Sequence, residues 1–411
     1  MELTLCKPHI KNKPLLKNQA GVEFVFAKSI EEVADEWGKN CPQDHFVSVG
    51  YLKCIEYYRP TGIDPFYCIV KEANEVIGIL YFQHKFVKLK ENLREIESPV
   101  PNDLSTISNK IIEAAKRAAI KCINFHTIVA GNLLLTGKYG FHFHPHISKD
   151  KQFELVAKAS EILAATLANK GCSKGLILLK DFYTHELPEN FLEAGFTKFQ
   201  VDPKMIITIE DNWKTFEDYL ESLKSKYRVR ARKCLKFGQQ IVKRVFDADD
   251  IRAHKSTIHR LYKNISDTAD FNAFILHEDY FEGIKRAMGD QLTFMTYYVD
   301  GEMIAFFTSV KNYEILDAHF LGYNLEKNTA FHIYQNMLFD LIAQAIDKGV
   351  KKVDLSRTAI EIKSTVGAVP QDMYLYMKHS NKALNLALPK ILGMVKPSND
   401  YVIRSPFRDL G

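Results

Sequence analysis

The segment Phe331-His-Ile-Tyr-Gln-Asn-Met-Leu-Phe-Asp-Leu-Ile-Ala-Gln-Ala-Ile-Asp347 decides the fold of this 411-residue chain. Its apolar residues recur at helical spacing and predict a long amphipathic helix. The helix is expected to end where Lys348 is followed by Gly349. A short apolar strand then covers Val350 to Leu355, and a last strand covers Asp372 to Lys378. A buried strand that follows a helix in this way points to an open α/β sheet.

Polar residues are concentrated directly after the first of these strands. Ser356, Arg357 and Thr358 follow it, and the segment Ile360 to Gly367 comes next and is interpreted as an alternating, extended stretch. Open α/β sheets bind ligands just beyond the ends of their buried strands. We therefore expect the functional site here.

Size and composition describe a globular protein with more than one core. At 411 residues and 46% hydrophobic content, two domains are the default expectation. The net charge of +5 permits an anionic partner without requiring one. The seven cysteines are scattered and form no CxxC pair, so neither a disulfide framework nor a zinc site is expected.

The sequence also predicts where the protein is found. Its first residues lack the plan of a signal peptide, and no apolar run approaches the roughly 20 residues that a membrane span needs. We expect a cytoplasmic protein. The apolar stretch Ala383 to Lys396, which is flanked by lysines, either docks on the second domain or rests peripherally on the inner membrane face.

The two halves of the chain repeat one order of predicted elements. Val76-Ile-Gly-Ile-Leu80 corresponds to Met303-Ile-Ala-Phe-Phe307, and the helix Leu155 to Lys170 corresponds to the helix Phe331 to Lys348. Such a repeat favours a duplication. The predicted domains are residues 1–210 and 211–411.

The second half carries five short motifs in a fixed order. They are Ser222-Leu-Lys-Ser-Lys-Tyr-Arg-Val-Arg-Ala-Arg-Lys233, Gly301-Glu-Met-Ile-Ala-Phe306, Gly322-Tyr-Asn324, Gly349-Val-Lys-Lys-Val-Asp-Leu-Ser-Arg357, and Glu361-Ile-Lys363 followed by Val366-Gly367. In this order they resemble the double-domain FemAB-like group of the GNAT acyltransferase superfamily. The resemblance implies an α/β (α+β) protein of tandem GNAT-like domains, each a mixed twisted sheet flanked by helices. It also implies transfer of an acyl or aminoacyl group from an activated donor to an amine.

The donor-binding loop departs from the common GNAT pattern. Where coenzyme A enzymes carry Q/R-x-x-G-x-G/A, this chain reads Leu325-Glu-Lys-Asn-Thr-Ala330. Backbone amides can still bind a phosphate there, helped by a lysine side chain. The predicted donor-binding residues are Lys327, Asn328, Thr329, Ala330 and Arg357. No tightly bound cofactor is expected, and an acyl-CoA or acyl carrier protein thioester is the expected co-substrate, with charged tRNA as the alternative.

Three acidic or basic side chains are candidates for handling the amine's proton. Asp354 ends the buried strand, and its alternative role is a cap or an ion-pair partner of Arg357. Asp317 and His319 alternate along the predicted strand Glu314 to Leu321 and face one side. The alternative for His319 is a hydrogen-bonded core histidine.

Two cationic side chains are candidates for handling an anion. Lys363 is placed with Glu361 on one side of the extended segment, where it would stabilise an oxyanion or bind donor phosphate. A solvated lysine is its alternative. Arg357 would hold a phosphate or carboxylate with two hydrogen bonds, or would neutralise Asp354.

The acceptor and other partners are less specified. A small-molecule or lipid amine is the predicted acceptor, and the basic helix is either a tRNA or phospholipid contact or a solvated face. The alternating His142, His144 and His146 lack nearby carboxylate or cysteine spacing, so no metal is expected. The competing interpretation of the whole chain is a non-catalytic GNAT-like ligand-binding protein.

Overall fold

The structure, a computed structural model, describes residues 15–19, 21–88, 124–137, 139–169, 175–268, 274–394 and 401–408. Its strands are β1 (Leu15–Gln19), β2 (Val22–Ala27), β3 (Ile63–Glu72), β4 (Glu75–Lys88), β5 (Asn124–Ala130), β6 (Phe141–Phe143), β7 (Leu176–Tyr183), β8 (Thr197–Thr208), β9 (Val242–Val245), β10 (Leu292–Val299), β11 (Glu302–Asn312), β12 (Ile315–Tyr323), β13 (Lys352–Asp354) and β14 (Val369–His379).

The helices of the described residues flank this sheet. They are α1 (Ala34–Asn40), α2 (Val49–Tyr57), α3 (Lys149–Ala168), α4 (Glu189–Glu193), α5 (Phe216–Ser222), α6 (Ser225–Phe237), α7 (Ala248–Ala253), α8 (Lys255–Ser266), α9 (Tyr280–Met288), α10 (Leu325–Phe331), α11 (Ile333–Asp347), α12 (Ile360–Ser364) and α13 (Lys382–Met394). A further helix that the sequence predicts, Leu104 to Ala119, lies outside the described residues.

The strands join into one mixed sheet in the order β1-β2-β3-β4-β5-β7-β14-β8-β13-β12-β11-β10-β9, with β6 paired to β4. Each half contributes an antiparallel run, β3-β4-β5 or β10-β11-β12, followed by a parallel strand, β7 or β13. The parallel strand is reached through a long helix, α3 or α11, as parallel pairing requires. The predicted fold class is confirmed.

Turn chemistry explains the hairpins at equivalent places in the two halves. Ala73 and Asn74 join β3 to β4, and Asp300 and Gly301 join β10 to β11, all with positive φ. Two-residue turns with positive φ match the twist of antiparallel strands. The sequence predicts both hairpins, the first around Glu72-Ala-Asn-Glu75 and the second at Asp300-Gly301.

The last strand of each half lies in the sheet of the other half. β8 pairs with β13, β14 pairs with β7, and β8 and β14 pair with each other. The sheet therefore runs unbroken through the middle of the molecule. The domain division at residue 210 stays a prediction, and the exchange makes each half dependent on the other for one strand.

Helix α11 forms for the reasons that its sequence indicates. Buried Ile333, Met337 and Leu341 share one face and pack against the sheet of the second half. The helix ends at Asp347, and Gly349 follows in the left-handed conformation with φ 62°. Its start is later than predicted, because His332 adopts φ 47° and separates it from α10.

We predict that residues 1–210 do not form a stable domain alone. Without β14, the fragment exposes the edges of β7 and β8, and unpaired edges promote aggregation. Co-expression with residues 211–411 should restore a soluble complex that purifies as one species. Size-exclusion chromatography and circular dichroism measure both outcomes. A monomeric 1–210 fragment that unfolds cooperatively would contradict the prediction.

Candidate active site

The candidate site lies where parallel strands β12 and β13 separate. The last register pair that joins them is Asp317 opposite Asp354. β13 ends at Asp354, whereas β12 continues to Tyr323. Side chains beyond such a point enclose a crevice at the carboxyl ends of the strands, where α/β proteins bind ligands. Two predicted acids therefore face each other at the opening.

A small cavity of about 30 Å³ occupies this opening. Its lining comes from both halves of the chain: Phe46, Leu134, Leu135, Thr136, Tyr139, Asp317, Ala318, His319, Asp354 and Ser356. Such a volume holds little more than a water molecule. A wider surface depression of about 450 Å³ between α2 and α9 has tyrosines and paired cations in its wall. We place the site at the smaller cavity, because the acids converge there.

Asp354 is held by two groups at once. Its Oδ1 accepts a hydrogen bond from the Ser356 backbone N–H at 2.8 Å, and its Oδ2 is ion-paired with the Lys204 ammonium. Lys204, on β8, also donates to the Tyr183 hydroxyl at 3.4 Å. Burial alone would lower the pKa of Lys204, but Asp354, Tyr183 and Asp317 raise it above the usual value. Lys204 is thus a permanent buried cation.

Asp317 is the acid that holds a proton. Its Oδ2 is buried and receives no hydrogen bond from any described residue. Burial, and then the neighbouring charge of Asp354, raise the pKa of the Asp317 carboxyl well above its usual range. Two acids face the single ammonium of Lys204, so one proton on Asp317 balances the charge.

His319 lies in the cavity wall with both ring nitrogens occupied. Nε2 is 3.2 Å from the Tyr280 hydroxyl, and Nδ1 is 3.3 Å from Thr308 Oγ1. Burial lowers the pKa of His319 to about 3. The structure thus gives His319 the hydrogen bonds of a core histidine, although it also lines the cavity with Asp317 as the strand alternation predicts.

The prediction that residues 360–367 are extended is wrong. Residues Ile360–Ser364 form the short helix α12, so Glu361 and Lys363 do not share a side. Glu361 is exposed and accepts a hydrogen bond from the Val402 N–H, whereas Lys363 is only 4% exposed. The alternative of a solvated Lys363 is therefore also wrong.

Lys363 supports the loop that carries Ser356. Its ammonium donates to the Arg357 carbonyl at 2.6 Å, and burial lowers its pKa to about 7. Ser356, Thr358 and Ala359 all have positive φ, which is strained for residues with a side chain. Left-handed residues of this kind cluster at functional sites. The nearby acids Asp354 and Asp202 act against the burial effect on Lys363.

Arg357 is half-buried beside this loop. Within the described ranges it forms no ion pair with Asp354 or any other acid, because Lys204 takes that place. Burial is the main cause that lowers the pKa of the nearby Lys180. Asp181 opposes this effect, and the positive charge of Arg357 adds to it. A guanidinium without an acid is free to bind an anion.

The predicted donor loop at residues 325–330 is a helix instead. Asn324 caps α10, because its Oδ1 accepts from the backbone N–H groups of Glu326 and Lys327. Amides farther along, at Asn328, Thr329 and Ala330, are inside the helix and bond to preceding carbonyls. The Lys327 ammonium pairs with Glu302 at 2.6 Å, and the Asn328 side chain accepts from the Tyr334 N–H. These four residues lie away from the cavity lining.

Sequence reasoning missed four residues of the site. Thr136, Tyr139 and Tyr183 lie in or next to loops, and Lys204 lies inside β8, where the sequence predicts a strand only near Met205 to Ile209. The one usable signal was Lys204 itself, a charge directly before the apolar run that starts at Met205. Tyrosines in loops carry no such signal.

Two further findings concern metal ligands and membrane spans in the described residues. No group of three His, Cys, Asp or Glu side chains in them is arranged to hold a metal ion. His144 bonds to Asn40 and stacks on His146 instead. Among the helices of the described ranges, none is long and apolar enough to cross a membrane.

A mixed sheet with helices on its faces, built from two halves of the same strand order, is the architecture of a tandem GNAT-fold protein. The chain belongs to the FemAB-like family, described as peptidoglycan biosynthesis/recognition, which matches residues 143–401. This membership supports a transferase of acyl or aminoacyl groups and identifies neither donor nor acceptor.

Two solved structures are similar to the chain at low sequence identity. FemX is 13% identical with a TM-score of 0.51, over 88% of this chain and 99% of FemX. A tandem GNAT protein from the clavulanic acid biosynthesis pathway is 9% identical with a TM-score of 0.48, over 88% of this chain and 99% of its own. The likeness to FemX supports the fold alone. No curated protein matches the sequence.

We predict opposite effects of the same substitution at the two acids. Asp354→Asn leaves the Lys204 ammonium buried without its partner and should lower the free energy of unfolding by about 3–5 kcal/mol. Asp317→Asn removes a carboxyl whose folded pKa is raised, so wild-type stability is lost as pH rises through that pKa. Asp317→Asn should therefore gain stability over wild type as pH rises from about 4 to 8.

Urea unfolding of both variants across this pH range measures the difference. The two variants control for each other, since they change the same group on neighbouring strands. Equal destabilisation by both, at every pH, would show that Asp317 is not the protonated member of the pair.

Proposed function

We propose that the protein transfers an acyl or aminoacyl group from an activated donor to an amine in the cleft between β12 and β13. The observation that carries the proposal is the buried Asp317 carboxyl in the cavity wall, whose Oδ2 has no hydrogen-bond partner among the described residues. A carboxylate with a raised pKa is a better proton acceptor than an ordinary one. Asp317 is thus suited to deprotonate the amine once it has lost its own proton.

The proposed step balances without a cofactor. The amine nitrogen attacks the donor carbonyl, its proton passes to Asp317, and the bond from carbonyl carbon to the leaving sulfur or oxygen breaks. The proton then passes to the leaving group. Asp354, fixed by Lys204 and the Ser356 N–H, keeps the negative charge that holds the pKa of Asp317 high.

Two cations near the loop of Ser356, both outside the cavity lining, are assigned to the proposed site. In this role Lys363 stabilises the negative charge that develops on the carbonyl oxygen. Arg357 binds an anionic group of donor or acceptor, because it has no acid of its own in the described structure. A small-molecule or lipid amine remains the proposed acceptor, and the charge of Arg357 favours one with a nearby anionic group.

The donor is either a thioester or a charged tRNA, and two observations favour the tRNA. The helical form of residues 325–331 leaves no open amide loop for a pyrophosphate. Helix α6 carries exposed cations that form no ion pair with described residues: Lys226, Arg230, Lys233 and Lys236. Such a surface suits a polyanion. An acyl-CoA or acyl carrier protein thioester stays the alternative donor.

We predict that charged tRNA raises the melting temperature of the protein, in a manner that salt weakens. The double variant Lys233→Glu/Lys236→Glu on α6 should lose this shift, whereas the matched charge reversal Lys28→Glu/Lys149→Glu in the first half should keep it. Thermal unfolding with tRNA, acyl-CoA and acyl carrier protein thioesters measures each.

The other outcomes are equally informative. A shift with a thioester alone would select the thioester donor. Stabilisation by a donor without any transfer product in mass spectrometry would favour the non-catalytic ligand-binding interpretation.

We predict a bell-shaped dependence of the transfer rate on pH. The rate should rise as Asp317 loses its proton and fall above about pH 7 as Lys363 loses its own, since burial lowers the Lys363 pKa to about 7. Lys363→Arg, which stays charged, should remove the alkaline decline. Asp317→Asn should lower kcat about 10²–10⁴-fold with donor KM unchanged. A full rate in Asp317→Asn would exclude the proposed base.

A further inference from the structure

A chain of buried side-chain hydrogen bonds crosses the core beside the cavity. It begins in the first half of the protein and ends in the second. Its last member also bonds to the backbone of a neighbouring strand. Gln83, Asn132 and Tyr51 are joined in its first part, and Tyr280, His319 and Thr308 in its second, and the Tyr51 and Tyr280 hydroxyls are neighbours where the two parts meet. Both of its ends lie next to the wall of the cavity.

The chain ends at an irregularity between β11 and β12. The register shifts between Phe307 and Ser309, so Thr308 and Phe320 are left out of the ladder. The Thr308 hydroxyl satisfies both backbone groups of Phe320: it accepts from the N–H at 2.9 Å and donates to the carbonyl at 3.0 Å. Its one proton is therefore committed.

This commitment sets the proton on His319. Because Thr308 Oγ1 has no second proton, the His319 Nδ1 that faces it must be the donor. The Nε2 of a neutral ring is then an acceptor, and it receives the Tyr280 O–H at 3.2 Å. Because the Tyr280 proton is committed to His319, a hydrogen bond between the neighbouring hydroxyls of Tyr51 and Tyr280 has Tyr51 as its donor.

The other end of the chain holds a loop of the first half. The Tyr51 hydroxyl accepts from Asn132 Nδ2 at 3.2 Å. Asn132 Oδ1 accepts from Gln83 Nε2 at 3.2 Å and from the Leu134 N–H at 3.0 Å, so the amide cannot turn over. Asn132 begins the turn whose next residues, Leu134 to Thr136, line the cavity.

We propose that Tyr51, Tyr280 and Asn132 are positioning residues, which hold His319 as the Nδ1–H tautomer and fix the 132–136 loop opposite it. All donors in the chain point one way, from Gln83 to the Phe320 carbonyl. His319 is then a rigid neutral wall of the acyl-transfer cleft rather than its base. This inference deepens the proposed function and rests on it for its catalytic consequence.

A proton added to His319 would break the chain. Nε2 would become a donor, so Tyr280 would turn its proton toward Tyr51. The Tyr51 proton would then meet Asn132 Nδ2, which is itself a donor and is fixed. A buried hydroxyl without an acceptor is costly. The low pKa of His319, which burial causes, agrees with this geometry.

Nitrogen-15 NMR of the histidine-labelled protein tests the tautomer without any substrate. His319, assigned through the loss of its signals in His319→Gln, should show a protonated Nδ1 and an unprotonated Nε2, unchanged between about pH 5 and 8. Tyr280→Phe removes one oxygen and should move the Nε2 signal or allow the ring to titrate. An Nε2–H tautomer in the wild type would overturn the proposal.

A kinetic comparison tests the positioning role. Tyr67→Phe is the control, because it removes an equally buried hydroxyl from the same core, one that bonds to Glu56 outside the chain. Tyr280→Phe should raise the KM of the amine acceptor about tenfold or more, whereas Tyr67→Phe should change it less than about twofold. Equal effects of the two would overturn the positioning role.

The two readouts separate the two proposals. An altered His319 signal in Tyr280→Phe, in a protein that transfers no acyl group, would uphold the hydrogen-bonded chain and reject the proposed function. An unaltered signal in an active enzyme would reject the chain and leave the function in place.

Discussion

The ion pair between Lys204 and Asp354 connects the fold to the site. Lys204 comes from β8, the last strand of the first half, and Asp354 ends β13 in the second. A buried ion pair is costly unless further hydrogen bonds complete it, and the Ser356 N–H and Tyr183 hydroxyl do so here. Because the two strands meet only through the exchange of β8 and β14, the charge balance that keeps a proton on Asp317 exists only in the assembled sheet.

Each half of the sheet has an opening where two parallel strands separate, and the two openings are filled differently. β5 and β7 separate after Ala130 and Leu179, as β12 and β13 separate after Asp317 and Asp354. In the first half the Lys180 ammonium fills the opening and donates to the carbonyls of Asn132 and Leu135, both at 2.8 Å. The loop sealed in this way then forms a wall of the open cavity in the second half. The closed opening of the first half thus supplies part of the wall of the open cavity in the second half.

Local patterns predicted the parts of this arrangement that are local. Helix α11, the Asp300-Gly301 turn and the facing positions of Asp317 and His319 follow from periodicity and turn chemistry. Asn324 was also a readable helix cap, so α10 was predictable, although a family pattern favoured a loop. Strand exchange was not predictable, because long-range pairing leaves no periodic signal. The partners of His319 are equally remote: Tyr280 lies 39 residues away.

The loop after β13 shows that the site was not shaped by stability alone. Ser356 adopts φ 60°, which turns its N–H toward Asp354, and Thr358 and Ala359 share the left-handed conformation. A buried lysine with a lowered pKa holds the Arg357 carbonyl between them. Each of these features lowers the stability of the folded protein. An apolar side chain in place of the buried Lys363 would lower it less. Such costs are tolerated where activity depends on them, so the strained loop and its lysine support the proposed site independently of the acids.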